Sequence, residues 1–220
     1  MISLQNVSKR YRQKIVYEAL TLEVPAHQLT VIVGENGIGK STLLKMMACI
    51  ERPDRGNIVY DREEWGKKEQ QQFIGYVPQD IALWEHMTLE ANIQFFKSLV
   101  KAPIPDDDIA AYVEMLGIAP YLKTVVRKLS GGTQRKANLL IGLLSAPRLL
   151  ILDEPTVGID LKSRTDIQQL LQQLKAHMTI VMTTHLLDEM TQFADHTILI
   201  GHDPFYEQVL VESGQTFTKI

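Results

Sequence analysis

Cysteine occurs once in this sequence, at Cys49, so no internal disulfide can staple the fold and a packed core must carry it. No apolar run is long enough to cross a bilayer: the most apolar stretch, Leu139 to Leu152, is broken by Ser145, Pro147 and Arg148. The opening MISLQNVSKRYRQ lacks the charged-then-apolar layout of a secretion signal, and the chain is expected to be cytoplasmic. An excess of positive charge is missing too. Lys and Arg number 23 against 26 Asp and Glu, a net charge of -3, which gives no electrostatic reason to expect nucleic acid as a partner. There is no internal repeat and no low-complexity tract. What remains is ordinary globular composition, 45% hydrophobic and 22% charged over 220 residues, enough for one well-packed domain or a core plus a small subdomain. Cys49 lies in an apolar helical pattern and is expected as a buried, inert thiol.

Alternating apolar residues, first at Ile2, Leu4 and Val7 and then at Leu20, Leu22 and Val24, predict half-buried antiparallel strands. The short run LTVIV, Leu29 to Val33, suits a strand buried on both faces. A helix is expected from Lys40 to about Ile50, then strands at Asn57 to Tyr60 and Phe73 to Val77, joined by a polar surface connection, DREEWGKKEQQQ. From Met87 to about Leu129, helical segments punctuated by Pro103, Pro105, Gly117 and Pro120 predict a small helical lobe, with Asp106 to Asp108 as an acidic helix start. Afterwards helices from Gly131, from Leu161 and around Leu186 to Phe193 alternate with strands Leu149–Leu152, Thr179–Met182 and Thr197–Ile200. That alternation predicts an α/β fold with a mostly parallel sheet. The tail after Gly201, with Phe205-Tyr206 and Val209-Leu210-Val211, is expected as a short hairpin or strand pair that closes the sheet.

Directly after LTVIV comes Gly34-Glu35-Asn36-Gly37-Ile38-Gly39-Lys40-Ser41-Thr42, which matches the P-loop pattern G-x-x-x-x-G-K-[ST]. Glycines let backbone N–H groups turn around phosphate oxygens, and the following helix presents its partly positive N-terminus. Lys40 adds a point charge for the terminal phosphates, and the Ser41 hydroxyl can ligate Mg²⁺. The apolar run Leu149–Leu152 ends in Asp153-Glu154, two acids at the ligand edge of a parallel sheet. Asp153 is suited to hold the Mg²⁺ shell, and Glu154 to polarise an attacking water as general base. A P-loop alone fits a kinase, a GTPase, a helicase or a transporter motor.

Leu129-Ser130-Gly131-Gly132-Thr133-Gln134 narrows the choice. With it, the sequence resembles the nucleotide-binding domain of the ABC transporter superfamily, whose signature reads LSGGQ. The resemblance covers nearly the whole chain. Tyr76-Val77-Pro78-Gln79 is similar to the Q-loop, Asp153-Glu154-Pro155-Thr156 to the Walker B segment with its extension, Val157-Gly158-Ile159-Asp160 to the D-loop, and Thr183-Thr184-His185 to the switch histidine. Tyr11 stands where the family places an aromatic that stacks on adenine. The resemblance implies a P-loop core over 1–80 and 130–220, with antiparallel N-terminal strands and a helical subdomain over 81–129. It also implies ATP and Mg²⁺ as cofactors, with Gln79 reaching the metal and the attacking water, and His185 beside them. Ser130, Gly131 and Gly132 form a second anion-binding helix start, without a lysine or a carboxylate set of its own. In the family this pairs with a head-to-tail dimer, where one subunit's signature covers the phosphate held by the other. A second cassette, identical or closely homologous, and integral membrane permease subunits are therefore the expected partners, at the inner face of the cell membrane.

The sequence departs from the family pattern at Thr133, where glutamine is usual, which resembles cassettes of ABC-A-like and ABC-2-type exporters. Ala26-His27-Gln28 replaces the common turn before the P-loop strand, and no regulatory extension is expected after Ile220. His27, His86, His177, His196 and His202 have no partners at metal-like spacing and are read as surface or packing residues. Two alternatives to a transport motor stay open: a soluble ABC ATPase serving assembly of another complex, and a nucleotide sensor or nucleic-acid-binding ATPase. The intact Glu154 and the acidic net charge argue against the second.

Overall fold

The computed structural model describes residues 1–61, 66 and 72–220. The chain opens with β1 (Ile2–Tyr11) and β2 (Lys14–Val24), an antiparallel hairpin in which Ile2 faces Val24 and Tyr11 faces Lys14. β3 (Leu29–Gly34) leads into α1 (Lys40–Met47), and β4 (Arg55–Tyr60) returns to pair with the other edge of β1. The polar connection expected after β4 lies almost wholly outside the described residues. β5 (Ile74–Val77) is followed by α2 (Leu89–Leu99), α3 (Asp106–Met115) and 3₁₀ turns at Ala119–Tyr121 and Val126–Lys128. Then come α4 (Gly131–Leu143), β6 (Leu149–Leu152), α5 (Leu161–Leu174), β7 (Thr179–Thr183), a π-helical turn at Glu189–Phe193 and β8 (His196–Ile200). The chain finishes with α6 (Pro204–Glu212) and β9 (Phe217–Lys219).

Among the described residues the strands form a three-stranded antiparallel sheet ordered β2-β1-β4 and a six-stranded sheet ordered β5-β6-β7-β3-β8-β9 whose pairings are all parallel. The central strands are buried on both faces, which is why they read as unbroken apolar runs. Strand alternation then divides them. Leu29, Val31 and Val33 join one core cluster with Leu150, Leu152, Ile180 and Met182, while Ile32, Ile151 and Val181 join the other. The first cluster takes in α4, α5 and the helices after β5; the second takes in α1 and the antiparallel sheet. Parallel pairing has one functional consequence. The ends of β3, β5, β6 and β7 all emerge at the same edge, where α/β sheets hold ligands.

The tail corrects the sequence reading. Instead of a hairpin, Pro204–Glu212 is helical, and β9 adds to β8 in parallel. Asp203 caps the helix by accepting from the Phe205 amide at 2.9 Å, and Pro204 occupies its first turn. The apolar residues Tyr206, Val209 and Leu210 therefore lie at helical spacing, with Leu210 fully buried. Of the helix expected around Leu186 to Phe193, the stretch Glu189–Phe193 is a π-turn. Cys49 is half-buried beside the Tyr60 hydroxyl, 3.0 Å from Sγ, and burial raises its thiol pKa.

Candidate functional site

The loop between β3 and α1 turns on glycine. Gly39 has φ 126, and a Cβ there would lie 2.7 Å from Val16 Cγ1 and 3.0 Å from the Tyr17 hydroxyl. The β2 strand thus presses against the loop from behind, and only glycine permits it. The Tyr17 hydroxyl donates to the Gly39 carbonyl at 3.1 Å, and Lys14 Nζ donates to the Gly37 carbonyl at 3.1 Å. Lys40 is 7% exposed, its ammonium donating to the carbonyls of Gly34 at 2.6 Å and Glu35 at 3.0 Å. Burial lowers its pKa, and the charges of Glu154 and Asp153 oppose that. Ile38 turns away from the loop mouth to pack near Gly201 at the end of β8.

Facing this loop are the ends of the neighbouring strands. Asn36, Gly37, Gly39, Lys40, Ser41, Thr42, Gln79, Glu154 and His185 line one cavity of about 430 Å³. Gln79 Nε2 donates to Glu154 Oε2 at 3.0 Å, and His185 Nδ1 lies 3.8 Å from Glu154 Oε1. Asp153 is 5% exposed and accepts from the Thr183 hydroxyl at 2.7 Å. The same hydroxyl accepts from the Glu154 amide at 3.0 Å, so one side chain of β7 fixes both acids that follow β6. Glu154 needs that support, because its φ of 50 lies in the left-handed region. Burial, and then the Asp153 charge, push the nearby Tyr76 phenol up to about 12. An Arg135 guanidinium N–H donates to the Gln79 carbonyl, tying α4 to the end of β5.

Other expected site residues lie elsewhere. Ser130 caps α4, its hydroxyl accepting from the Thr133 amide at 3.2 Å and pairing with the Thr133 hydroxyl at 2.9 Å. Asp160 caps α5 by accepting from the Ser163 amide at 2.9 Å. Gly132 sits where these two helix starts meet, and Lys136 bridges to Asp166 at 2.5 Å one turn further on. None of Ser130, Gly131, Gly132 and Asp160 lines the cavity. Tyr11 does not line it either; its hydroxyl donates to Glu51 Oε2 at 2.5 Å. The support that Tyr17, Lys14 and Arg135 give the site is not foreseen from the sequence, and Thr183 enters there only within Thr183-Thr184-His185. Only Thr183, just ahead of His185, carried a local signal.

The arrangement fits a nucleotide triphosphate and a hard cation. The glycine loop opens a helix N-terminus with a buried lysine beside it, the geometry of an anion cradle. Among the described residues no group of three or more His, Cys, Asp and Glu converges as a metal cluster. A single carboxylate, Asp153, with the Ser41 hydroxyl and the Gln79 amide, is the kind of oxygen donor set that Mg²⁺ shares with phosphates.

Residues 17–157, which hold the glycine loop, the Ser130–Gly132 helix start and both acids, match the ABC transporter family. The chain belongs to that family. Among curated ABC relatives, the linearmycin resistance ATP-binding protein LnrL of Bacillus subtilis is 32% identical over 91% of this chain and 66% of its own length. The molybdenum import ATP-binding protein ModC of Pseudomonas fluorescens is 32% identical over 83% of this chain and 53% of its own. The lantibiotic transport ATP-binding protein SrtF of Streptococcus pyogenes is 26% identical over 89% of this chain and 84% of its own. The chain therefore spans between about half and two-thirds of the first two relatives. Among solved folds, the dimeric ABC transporter cassette MJ0796 superposes with a TM-score of 0.78 at 24% identity, over 90% of this chain and 94% of that one.

Proposed function

We propose that this ABC cassette is the ATP-binding and ATP-hydrolysing motor subunit of a membrane transporter. The observation that carries the reading is the cavity at the sheet edge, where the P-loop lysine and the Glu154 carboxylate, held by Gln79, face one another. In this reading the loop from Gly34 to Thr42 cradles the phosphates of ATP. Ser41, Asp153 and Gln79 hold Mg²⁺, which when bound supplies charge neutralisation at the phosphates. Glu154 takes a proton from the attacking water as general base, with Gln79 and His185 orienting that carboxylate. Tyr11 stacks on the base.

Ser130, Gly131, Gly132 and Asp160 act on the site of a second cassette. Their position away from the chain's own cavity supports that division, since a head-to-tail dimer brings one chain's α4 start to the other's phosphates. The helical subdomain over 81–129 receives the membrane subunits. It carries exposed Trp84, Phe95 and Leu99, with Trp84 and Phe95 edge-to-face at 6.1 Å, an apolar surface of the kind partners cover. No described helix is long and apolar enough to cross a membrane; in this reading the pathway belongs to separate integral permease subunits, and the cassette docks on them at the inner face of the cell membrane. The Thr133 departure leans the assignment toward export.

Phosphate release by the purified chain in Mg-ATP tests the enzymatic part: turnover that Lys40→Ala abolishes is expected, and turnover unaffected by that change contradicts it. A soluble ATPase serving assembly of another complex is the second reading, favoured only by the shared ATP site. Mild-detergent purification decides between them, since a transport motor brings multi-span membrane subunits with it.

A further inference from the structure

Tyr11 stands at the tip of the β1–β2 hairpin, 44% exposed, where a tyrosine would ordinarily sample several rotamers. Here its hydroxyl donates to Glu51 Oε2 at 2.5 Å, from the loop that follows α1. The other carboxylate oxygen, Oε1, accepts from Lys9 Nζ at 2.9 Å. Lys9 is 9% exposed, and its ammonium also donates to the Arg52 carbonyl at 2.8 Å and lies 3.7 Å from Asp54. That ammonium stands 5.4 Å from the centroid of the Tyr11 ring, so lysine covers one face of the aromatic while the ring stays partly open. The charges agree with the contacts. The hydrogen bond to Glu51 leads in raising the Lys9 pKa. Burial works to raise the Glu51 carboxyl, but the bonds from Tyr11 and Lys9 outweigh it and hold it below the usual carboxylate range. Thr42, which lines the nucleotide cavity, also interacts with the Tyr11 phenol.

We infer that Glu51 and Lys9 are positioning residues that clamp Tyr11 as a preset platform for the nucleotide base. The inference rests on the nucleotide reading of the site and goes beyond it, because neither residue need touch the nucleotide. Two effects act together. Fixing the ring before binding removes rotamer entropy that the bound state would otherwise lose. A cation behind one face draws electron density from the ring, which favours stacking of an electron-rich purine on the other. An exposed ion pair that only braced the hairpin would have neither consequence.

The test separates base from phosphates by titrating the full chain with Mg-ATP and with Mg-tripolyphosphate, which lacks the base. Glu51→Ala is expected to weaken ATP binding about three- to tenfold, with tripolyphosphate affinity unchanged. Glu51→Gln, which keeps an acceptor for the tyrosine, should fall between Glu51→Ala and wild type. In a Tyr11→Ala background, Glu51→Ala should have no further effect on ATP. Melting curves confirm that each variant is folded. Equal loss for both ligands, or the same loss without Tyr11, overturns the clamp, as does equal affinity of wild type for ATP and tripolyphosphate. If wild type binds neither ligand, or Lys40→Ala leaves both affinities intact, the nucleotide reading fails and the clamp with it.

Discussion

Gln79 Nε2 donates to Glu154 Oε2 at 3.0 Å, joining the residue that follows β5 to the one that follows β6 across the mouth of the cavity. His185 approaches the other oxygen at 3.8 Å, so both halves of the carboxylate are aimed by neighbouring strands. Replacing Glu154 by Gln keeps the shape and removes the base. Turnover is expected to fall by about 10²- to 10⁴-fold with ATP affinity retained, leaving an ATP-bound dimer visible by size exclusion. Hydrolysis at the wild-type rate contradicts the assignment.

Thr183 offers a sharper probe of the acids, because its hydroxyl serves both without standing in the cavity. Thr183→Val leaves the Glu154 amide without its acceptor and frees the Asp153 carboxylate. A stability loss of about 1–3 kcal/mol in urea unfolding is expected, together with slower phosphate release. Thr183→Ser should restore most of both.

At the second helix start, two adjacent glycines should behave differently. A Cβ on Gly132 would lie 2.3 Å from Ser163 Oγ and 2.7 Å from Asp160 Oδ2, whereas one on Gly131 meets nothing within 4 Å. Gly132→Ala is expected to destabilise by about 1–3 kcal/mol, since two capped helices must part. Gly131→Ala should leave the melting temperature nearly unchanged and still slow turnover, if that backbone meets the phosphates of a partner's ATP. Equal effects of both changes on stability would contradict this packing.

The pH dependence of the α5 cap follows from Asp160. The Ser163 backbone amide holds its carboxyl below the usual aspartate range. A depressed folded-state pKa stabilises above the unfolded value and loses its contribution as pH falls through the folded one. The melting-temperature gap between wild type and Asp160→Ala should therefore be full at neutral pH and narrow on acidification below the ordinary aspartate range. A gap that widens on acidification runs against this sign.

Much of the fold was legible because β3, β6 and β7 are buried on both faces, which leaves short apolar runs, that of β3 ending in glycine and that of β6 running into Asp153-Glu154. The cavity was legible for the same reason: parallel strands bring their C-terminal ends together, so Lys40, Gln79, Glu154 and His185 meet although they are far apart in sequence. α6 was misread because Phe205-Tyr206 and Val209-Leu210-Val211 satisfy strand and helix spacing alike. The Asp203-Pro204 start signal, a capping carboxylate with proline in the first turn, is what separates the two. The bridge by Thr183 depends on the register of β6 against β7, Leu152 facing Met182, and the Tyr11–Glu51 pair on how β1 meets the loop after α1. Such long-range geometry leaves no local pattern to read.

Sharing of the ATP site between two chains is the claim on which transport coupling depends, and complementation tests it most directly. Lys40→Ala and Ser130→Arg homodimers should each be inactive, because every site lacks either its lysine or its covering helix start. In a mixed dimer one site carries both lesions, while the other pairs an intact P-loop with an intact Ser130. Mixing the two purified variants, with mixed dimers verified by native mass spectrometry, should therefore recover measurable ATP hydrolysis. Verified mixed dimers that stay as inactive as either parent would contradict a site shared between chains that can turn over singly.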